Sequence, residues 1–475
     1  MSLSQIEKNL LVFLDPAGRY AESRWNFVTM EGGRKEAARI PEETAQRGVL
    51  CFSRVNLVGY LFCSLILRLK YGKARVRGVL YLNDWLLGCF FYADATDGYH
   101  AFVRRHIIGT QRLFRRLVML LPPVWRAEQR FLVVEHPDVS AVEGPANPLD
   151  SYDFMFFSNA AGKLILTHGT TFDVGKGTIL KTAASPEYAA NLEREQRIVQ
   201  NIMAVSGSPR LIPSVSERLQ VNGRFFYEEE YLCGENLRGI LLEVGRRNSF
   251  GDAGSLLDRL DCWYTEYRAA FVSGKRPVSD LYAPVLAAFL PCYAQTPGTP
   301  CLMECAAKAL AVLDRDHAGL VTVVAHNDLW PENFIMQGDQ LIAVDWERAT
   351  EQSSPIFDYY WMIISAVLEY RVGSNGIHDY AIALRQFLDR HDEVCCRARE
   401  LLEKYIESLG FDRDRYDTFM LLFLMELSIQ GYRTFGHVTD NDRMALEELQ
   451  RLYGSFSDAL NCFSGRLYDI SSFDN

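Results

Sequence analysis

The sequence predicts an α+β fold in which a small lobe of strands and one helix precedes a large helical lobe. Short apolar, β-branched runs separated by turns occupy much of residues 150–233. Apolar residues then recur at helical spacing through most of 256–463. A turn-rich stretch, Glu-Gly-Pro-Ala-Asn-Pro-Leu-Asp at 143–150, comes before both. We therefore predict an additional N-terminal α/β domain at 1–148.

Length and composition bound the class of protein. A chain of 475 residues is too long for one ordinary core and indicates two or three domains. The net charge of −10 argues against a protein that binds nucleic acid. The 11 cysteines include no Cys-x-x-Cys pair, so we interpret them as reduced thiols of a cytoplasmic protein.

The domain predicted at 1–148 has no assigned function, but its segment 101–130 is basic and amphipathic. It contains seven arginines and a single acidic residue, interleaved with apolar side chains. The simpler interpretation is a core helix with a solvated arginine face. The alternative is peripheral contact with an anionic membrane at its inner face, or with a lipid-linked, phosphorylated substrate.

The small lobe begins with two strand-like runs, Phe154–Phe157 and Leu164–Thr167, on either side of a loop of small residues. A third apolar run contains Lys181, and a helix is predicted over Tyr188–Met203. A further strand, from Phe225, ends before Gly234. In the large lobe, helical spacing is found in the following segments: Leu256–Phe271, Val285–Leu290, Met303–Leu313, Tyr360–Leu368, Ile382–Leu388, Ala398–Leu409, Tyr416–Ile429 and Met444–Phe463.

The segment 326–347 is the most informative part of the chain. It reads His-Asn-Asp-Leu-Trp-Pro-Glu-Asn-Phe and later Val-Asp-Trp-Glu, with strand-like runs at 321–324 and 341–344 and a turn at Gly338. A hairpin of this kind would bring Asp328, Asn333 and Asp345 together. Phosphoryl transfer from ATP needs a carboxylate at the attacking hydroxyl and two oxygen ligands for magnesium. The segment offers all three, whereas a chance match would be an acidic surface loop beside a strand.

These motifs resemble the catalytic loop and metal-binding motif of the aminoglycoside phosphotransferase/choline kinase family, which has a bilobal protein-kinase-like fold. In that family the loop runs His-x-Asp-x-x-x-x-Asn, and the metal aspartate lies in an Ile/Val-Asp-Trp/Phe-Glu context. The resemblance covers about 150–475. It implies a small antiparallel-sheet N-lobe at 149–233, a large helical C-lobe at 234–475, and an active site in the cleft between them.

The resemblance also implies roles for single residues. Asp328 is expected to be the catalytic base that orients the acceptor hydroxyl, and His326 to brace the loop. Asn333 and Asp345 are expected to hold magnesium. Asp358 matches a structural aspartate that follows the metal-binding motif in the family.

A nucleotide site is implied upstream. Lys181 is expected to contact the α- and β-phosphates of ATP and to pair with Glu195, which fits better than Glu193. Without the resemblance these would be a surface lysine and a solvated helix face. Ser158 and Asn159 are candidates for a reduced phosphate loop, although this stretch could also be an ordinary hairpin turn. Glu230 and Leu232 are candidates for backbone contact with adenine.

The acceptor is the least determined part of the prediction. Aromatic residues cluster near the chemistry and could suit a cationic or sugar-like acceptor, although most of them are expected to pack the core. Trp330, Glu332 and Glu347 are the candidates for contact with the substrate. The set of aromatic residues is Trp330, Trp346, Tyr359, Tyr360 and Trp361.

We therefore expect an ATP- and magnesium-dependent phosphotransferase, a kinase whose acceptor is an alcohol group of aminoglycoside, choline/ethanolamine or sugar type. Two alternatives stay open. One is a bifunctional cell-envelope glycan or lipid-linked sugar kinase that binds its acceptor through the N-terminal domain. The other is a non-catalytic nucleotide-binding regulator. The expected partners are a nucleotide and a small-molecule or glycan acceptor, and the oligomeric state is open.

Overall fold

The chain divides into two compact units, which we describe separately. Unit 1 contains Met1–Gln200 and Pro213–Cys233, and unit 2 contains Asn201–Ile212 and Gly234–Asn475. The computed structural model describes these residues: 25–29, 49–53, 76–83, 88–92, 129–135, 154–157, 163–167, 177–183, 186–204, 211–221, 224–316, 319–376 and 379–453.

Unit 1 is built on one ten-stranded sheet with the strand order β1-β2-β5-β3-β4-β6-β7-β8-β10-β9. Only the β1–β2 pair is parallel among these neighbours. The strands are β1 (Trp25–Thr29), β2 (Val49–Ser53), β3 (Val76–Asn83), β4 (Gly88–Tyr92), β5 (Gln129–Glu135), β6 (Phe154–Phe157), β7 (Lys163–Thr167), β8 (Thr178–Ala183), β9 (Val215–Val221) and β10 (Arg224–Glu230).

Strands from the first 148 residues and strands that follow them share this sheet, because β4 pairs with β6. The boundary that we place after residue 148 therefore stays a prediction. Its turn-rich segment at 143–150 and residues 101–128 of the basic segment lie outside the described residues, while 129 and 130 begin β5.

The predicted strands and helix of the small lobe are confirmed. Strands β6 and β7 cover the two runs around the loop of small residues, and β8 contains Lys181. The helix, α1 (Pro186–Ala204), buries Leu192, Ile198 and Val199, whose spacing predicted it. Leu192 packs in one apolar cluster with Ala183, Phe225 and Tyr227. The helix is thus held on one face of the sheet by burial of its apolar stripe.

Unit 2 is mainly helical. Each predicted helix of the large lobe is found, and residues 454–463 of the last predicted helix lie outside the described residues. The helices are α2 (Leu237–Arg246), α3 (Phe250–Ala270), α4 (Val278–Tyr293), α5 (Thr299–Asp316), α6 (Pro355–Asn375), α7 (Tyr380–Leu388), α8 (Glu393–Ser408), α9 (Tyr416–Leu427), α10 (Gln430–Phe435) and α11 (Asp440–Tyr453). None of the helices described in the two units is long and apolar enough to cross a membrane.

Helix α4 is longer than its periodicity alone predicts, because it continues through Pro284 and Pro291. A proline inside a helix removes one backbone hydrogen bond and usually ends or kinks the helix. Here Tyr282, Val285 and Phe289 are almost fully buried on one face. Their burial offsets the lost hydrogen bonds, so tertiary packing overrides the local signal.

Helices α2 and α6 approach each other closely through two glycines. A methyl group on Gly245 of α2 would overlap the carbonyl oxygen of Tyr370 in α6. A methyl group on Gly373 of α6 would in turn overlap the carbonyl oxygen of Leu242 in α2. The two helix backbones can approach this closely only because glycine has no side-chain carbon at either position.

We expect Gly373→Ala to lower the free energy of unfolding by about 2–4 kcal/mol, because the added methyl forces the two helices apart in a packed core. The matched control is Gly254→Ala in α3, where a methyl group meets nothing within 4 Å. That change should be neutral or stabilise by up to about 1 kcal/mol, since alanine is the better helix former. Urea unfolding of both variants measures the difference, and equal effects would contradict the close approach.

Two small antiparallel sheets complete unit 2. One has the strand order β11-β14-β15 and the other β12-β13-β16. A hairpin is formed by β14 and β15, with Phe334 opposite Ala343 and a turn at Gly338, whose φ is +59°. The turn and the strand-like run at 341–344 were predicted, whereas the other predicted run, 321–324, lies in β13, which pairs with β12 and β16. The strands are β11 (Glu235–Asn236), β12 (Val272–Arg276), β13 (Leu320–Ala325), β14 (Phe334–Gln337), β15 (Gln340–Ala343) and β16 (Thr350–Ser353).

Candidate active site

The hairpin register brings the two halves of the motif to one place. The loop after β13 ends in a 3₁₀ turn, Pro331–Asn333, directly before β14. Asp345 follows β15 by two residues, and the Val344 N–H donates to the carbonyl of Asn333 over 2.9 Å. The two predicted metal ligands therefore flank one backbone hydrogen bond at the open end of the hairpin.

Asn333 is oriented by the loop that carries Asp328. Its Nδ2 donates to the Asp328 carbonyl over 2.8 Å and lies 3.4 Å from the Asp328 carboxylate oxygen Oδ2. The buried amide is thus turned so that Oδ1 is the atom that could meet a cation. Carboxylate and amide oxygens are the ligands that magnesium prefers in proteins. Asn333 and Asp345 therefore fit the ion that the motif implies.

Asp345 has a left-handed backbone, with φ 66° and ψ 63°. This conformation is uncommon for residues other than glycine, although aspartate tolerates it better than most. It lies between β15 and a second 3₁₀ turn, Trp346–Arg348. Strained backbone of this kind persists where the surrounding structure holds it, and it is often found at functional sites.

The electrostatics of Asp328 suit a group that accepts a proton. Burial raises the pKa of its carboxyl to about 6, and Asp345 and Glu347 also raise it. Arg348, whose Nη1 lies 3.5 Å from Oδ1, lowers the pKa, as does the hydrogen bond from Asn333. The side chain keeps 26% of its surface exposed, so an acceptor hydroxyl can approach it. A base with a pKa closer to neutrality is the more effective proton acceptor at physiological pH.

His326 ties the loop to the segment that carries Asp345. The imidazole is fully buried, and its Nε2 lies 2.9 Å from the carbonyl oxygen of Val344. The ring also packs against Trp346, with centroids 4.6 Å apart. The bracing role that the resemblance implies for His326 stays a prediction, and these are the contacts through which it would act.

Asp358 fixes the backbone of the same loop through two hydrogen bonds. Its two carboxylate oxygens accept the N–H groups of His326 and Asn327, over 2.5 Å and 2.8 Å. Asn327 has a left-handed φ of 61°, and its side chain donates to the Arg348 carbonyl over 2.9 Å. Burial raises the pKa of Asp358 to about 7, while the two backbone hydrogen bonds lower it.

Replacing Asp358 by asparagine should lower the free energy of unfolding by about 2–4 kcal/mol, because an amide NH₂ would face a buried backbone donor. We also expect kcat to fall, since the loop that carries Asp328 loses one of its two backbone anchors. Thermal or urea unfolding measures the first effect. Glu351→Gln, the same chemical change at an exposed position, is the control and should change stability by less than about 0.5 kcal/mol.

Trp330 and Glu332, predicted to contact the substrate, are held by the first residues of α2. Arg238 lies over the Trp330 ring at 5.5 Å and forms ion pairs with Glu332 (3.1 Å) and the buried Glu369 (3.0 Å). Asn236 caps α2 and donates to the Glu332 carbonyl over 2.6 Å. Both residues remain partly exposed.

Most of the aromatic residues near the motif pack the core. Trp346, Tyr359 and Tyr360 expose no more than 1% of their surface. Tyr359 stacks on Tyr405 and donates to Asp261 over 2.5 Å. These rings support the helices of unit 2, as the packing interpretation predicted, and Trp330 and Trp361 are the partly exposed members of the set.

In unit 1 the structure brings Lys181 and Glu195 together. The Lys181 Nζ lies 3.0 Å from Glu195 Oε1 and 2.7 Å from Glu229 Oε2, and all three side chains are buried. Glu193, the other candidate on the helix, is not among these three. Burial raises the pKa of Glu229, whereas the Lys181 ammonium lowers it and favours the ionised carboxylate.

The segment predicted to meet adenine lies at the end of β10. The Glu230 N–H donates to the Ser214 carbonyl over 2.8 Å, and the Tyr231 N–H donates to the Gly177 carbonyl over 2.9 Å. Leu232 is buried. Ser158 and Asn159, the phosphate-loop candidates, lie outside the described residues.

Sequence reasoning missed several residues of these two sets. Glu229 contacts Lys181 from another strand, and Arg348 contacts Asp328. Arg238 and Asn236 both contact Glu332, in the loop between Asp328 and Asn333. For Glu229 a signal existed, because strand alternation places it on the same face as Tyr227, which pairs with Lys181. For Arg348 and Arg238 no local pattern indicated the contact.

The comparisons with known proteins agree with these motifs. Residues 167–395 match the model of a family described as the phosphotransferase enzyme family. No curated protein matches the chain. The chain is similar to three solved structures: the gentamicin complex of APH(2'')-IIa (13% identity, 65% of this chain, 90% of that chain, TM-score 0.35); the ADP-bound aminoglycoside phosphotransferase APH(2'')-Ib (13%, 66%, 91%, 0.34); and spectinomycin phosphotransferase APH(9)-Ia with ADP and spectinomycin (11%, 68%, 90%, 0.31).

The family match covers the strand that carries Lys181, the whole loop of Asp328 and the hairpin that ends before Asp345. The matched residues are rich in helices and include the two small antiparallel sheets of unit 2. Residues 167–395, slightly less than half of the chain, are therefore similar to the phosphotransferase enzyme family.

Proposed function

We propose that this protein is an ATP- and magnesium-dependent phosphotransferase that acts on a hydroxyl group of a small molecule. The observation that carries the proposal is the convergence of Asp328, Asn333 and Asp345 at one end of the β14–β15 hairpin. Phosphoryl transfer depends on positioning and charge stabilisation, and this set offers a proton acceptor and two oxygen ligands for a cation.

In the proposed reaction the Asp328 carboxylate orients the acceptor hydroxyl and accepts its proton. Arg348, 3.5 Å away, and the Asn333 amide hold that carboxylate in place. Asn333 and Asp345 would hold magnesium, which supplies positive charge to the phosphoryl oxygens when bound. The buried Lys181 ammonium, oriented by Glu195, would bind the nucleotide phosphates.

For the acceptor we propose a cationic or sugar-like alcohol of aminoglycoside, choline/ethanolamine or sugar type. Trp330, Glu332 and Glu347 are the proposed contacts, because each is partly exposed and lies within a few residues of Asp328 or of Asp345 along the chain. A ring face and carboxylates suit a ligand with ammonium or hydroxyl groups. Arg238 contacts both Trp330 and Glu332. These two side chains would therefore be oriented before an acceptor binds.

A thermal-shift screen followed by a turnover assay tests the function. The full chain is heated with Mg-ATP, then with Mg-ATP plus each candidate acceptor, and ADP release is measured for every acceptor. Mg-ATP at 100 times its Kd should stabilise the folded state by about 2.7 kcal/mol. ADP release that depends on one acceptor class supports the proposal and names the class.

Two results would contradict the proposal. A clear shift with Mg-ATP but no acceptor-dependent ADP release, including with lipid-linked glycans, would favour the non-catalytic regulator. Absence of any shift and of any ATP consumption would remove the nucleotide site itself. Turnover confined to lipid-linked or glycan acceptors would instead support the envelope-glycan kinase.

A further inference from the structure

The lysine that we propose for the nucleotide phosphates belongs to a group of four buried charges. We name it the charge cluster, and it consists of Lys163, Lys181, Glu195 and Glu229. Each of these residues exposes 8% of its surface or less. Burying four charged side chains is costly unless their geometry pairs them well, and the family motifs assign only Lys181 and Glu195.

The register of the sheet explains how the cluster forms. Ile165 of β7 and Tyr227 of β10 both pair with Lys181 of β8. Side chains two residues apart on a strand project to the same face. Lys163, two residues before Ile165, and Glu229, two residues after Tyr227, therefore project to the same face as Lys181.

Glu195, on helix α1, lies between the two lysines. Its Oε1 is 3.0 Å from the Lys181 Nζ, and its Oε2 is 3.6 Å from the Lys163 Nζ. Glu229 approaches Lys181 more closely still, at 2.7 Å. The strand lysine is thus shared by two carboxylates, and the helix glutamate by two ammonium groups.

The charges of the cluster have a consequence for an anionic ligand. A lysine paired with one glutamate is neutral and still offers an ammonium to phosphate. Glu229 places a second negative charge beside that ammonium. Lys181, Glu195 and Glu229 together would then carry a net charge of −1, which disfavours the binding of a triphosphate. Lys163 returns the total to zero.

We propose that Lys163 and Glu229 are a matched pair of positioning residues that set the charge of the nucleotide-phosphate site. Glu229 weakens the binding of a nucleoside triphosphate, and Lys163 offsets that effect. This inference rests on the proposed function, since it takes the nucleotide phosphates as the ligand of Lys181.

A double-mutant cycle on the full chain tests the pair. Glu229→Gln keeps the shape and the hydrogen bond to Lys181 but removes one negative charge, so it should tighten the Kd for Mg-ATP by about tenfold or more, because a unit charge roughly 12 Å away already has a tenfold effect at an effective dielectric of about 20. Lys163→Met should weaken it by a similar factor. The double variant should return to within about threefold of the original protein.

The readouts separate binding from folding. Isothermal titration with Mg-ATP and with adenosine is run on every variant, because adenosine lacks the phosphates and its Kd should not follow the charge. Lys275→Met, at an exposed position of β12, is the control for loss of a lysine. Lys163→Gln replaces Lys163→Met if the methionine variant does not fold.

The sign of the Glu229→Gln effect is decisive. Weaker or unchanged binding of Mg-ATP in that variant would overturn the inference, and so would parallel losses for Mg-ATP and adenosine, which indicate a merely structural role. If the original protein binds no Mg-ATP, the proposed function fails and the inference fails with it. If it binds Mg-ATP and the cycle shows no opposite signs, only the inference fails.

Discussion

Replacing Asp328 by asparagine should lower kcat by about 10³-fold or more, while the Kd for Mg-ATP changes by less than about threefold. The carboxylate is the proposed proton acceptor, and positioned acid–base groups contribute about 10²–10⁴-fold to a rate. The amide keeps the size of the side chain and can still contact Asn333, 3.4 Å from Oδ2. The loop should therefore keep its shape while the chemistry is lost.

Single-turnover rates and titration with Mg-ATP measure the two quantities on the same preparation. The matched control is Asp339→Asn, an exposed aspartate in the turn of the same hairpin. That variant should keep both kcat and Kd. Turnover of the Asp328 variant at the rate of the original protein would exclude Asp328 as the catalytic carboxylate.

Replacing Asp345 by asparagine should raise the magnesium concentration needed for half-maximal activity by about tenfold or more, and should lower kcat by about 10²-fold at a fixed low magnesium concentration. An amide is a weaker ligand than a carboxylate and removes one negative charge from the proposed cation site. The neighbouring Asn333 would then be left to hold the ion with water and phosphate oxygens.

Magnesium titrations at saturating ATP check this result, and partial recovery of kcat at high magnesium is its signature. Unfolding experiments without nucleotide give the control for a structural effect, since the left-handed backbone at residue 345 also tolerates asparagine. Equal magnesium dependence in the variant and the original protein would remove Asp345 from the metal site.

The candidate site depends on supports that lie far from it in sequence. Asp358, at the beginning of α6, holds the N–H groups of His326 and Asn327. The N-terminal residues of α2 hold the turn that contains Asn333 through Asn236 and Arg238. Helices α2 and α6 are themselves locked together at Gly245 and Gly373. A packing defect between these two helices is therefore expected to disturb the position of the loop that carries Asp328.

Much of the fold could be predicted because its elements have strong local periodicity. Helix α1, strand β15 and the turn at Gly338 were predicted almost to the residue, since apolar spacing and a glycine turn specify them locally. Strand β14 was not named, and the run at 321–324 belongs to another sheet. Helix α2 was missed, although Leu237, Leu241 and Val244 form a buried stripe at helical spacing. At ten residues it is too short for that stripe to stand out beside the strand and glycine that precede it.

The sequence by itself determined which residue types meet in the loop and the hairpin, because Asp328, Asn333 and Asp345 lie within one short segment whose strands pair locally. It also determined that a lysine on a strand is followed by a glutamate on the next helix. Only the tertiary structure decided that Glu229, 48 residues from Lys181, shares that lysine, and that Lys163, Arg348 and Arg238 complete the two charged groups. The reason is physical: local spacing specifies contacts within an element, whereas contacts between elements depend on register and packing that no short pattern records.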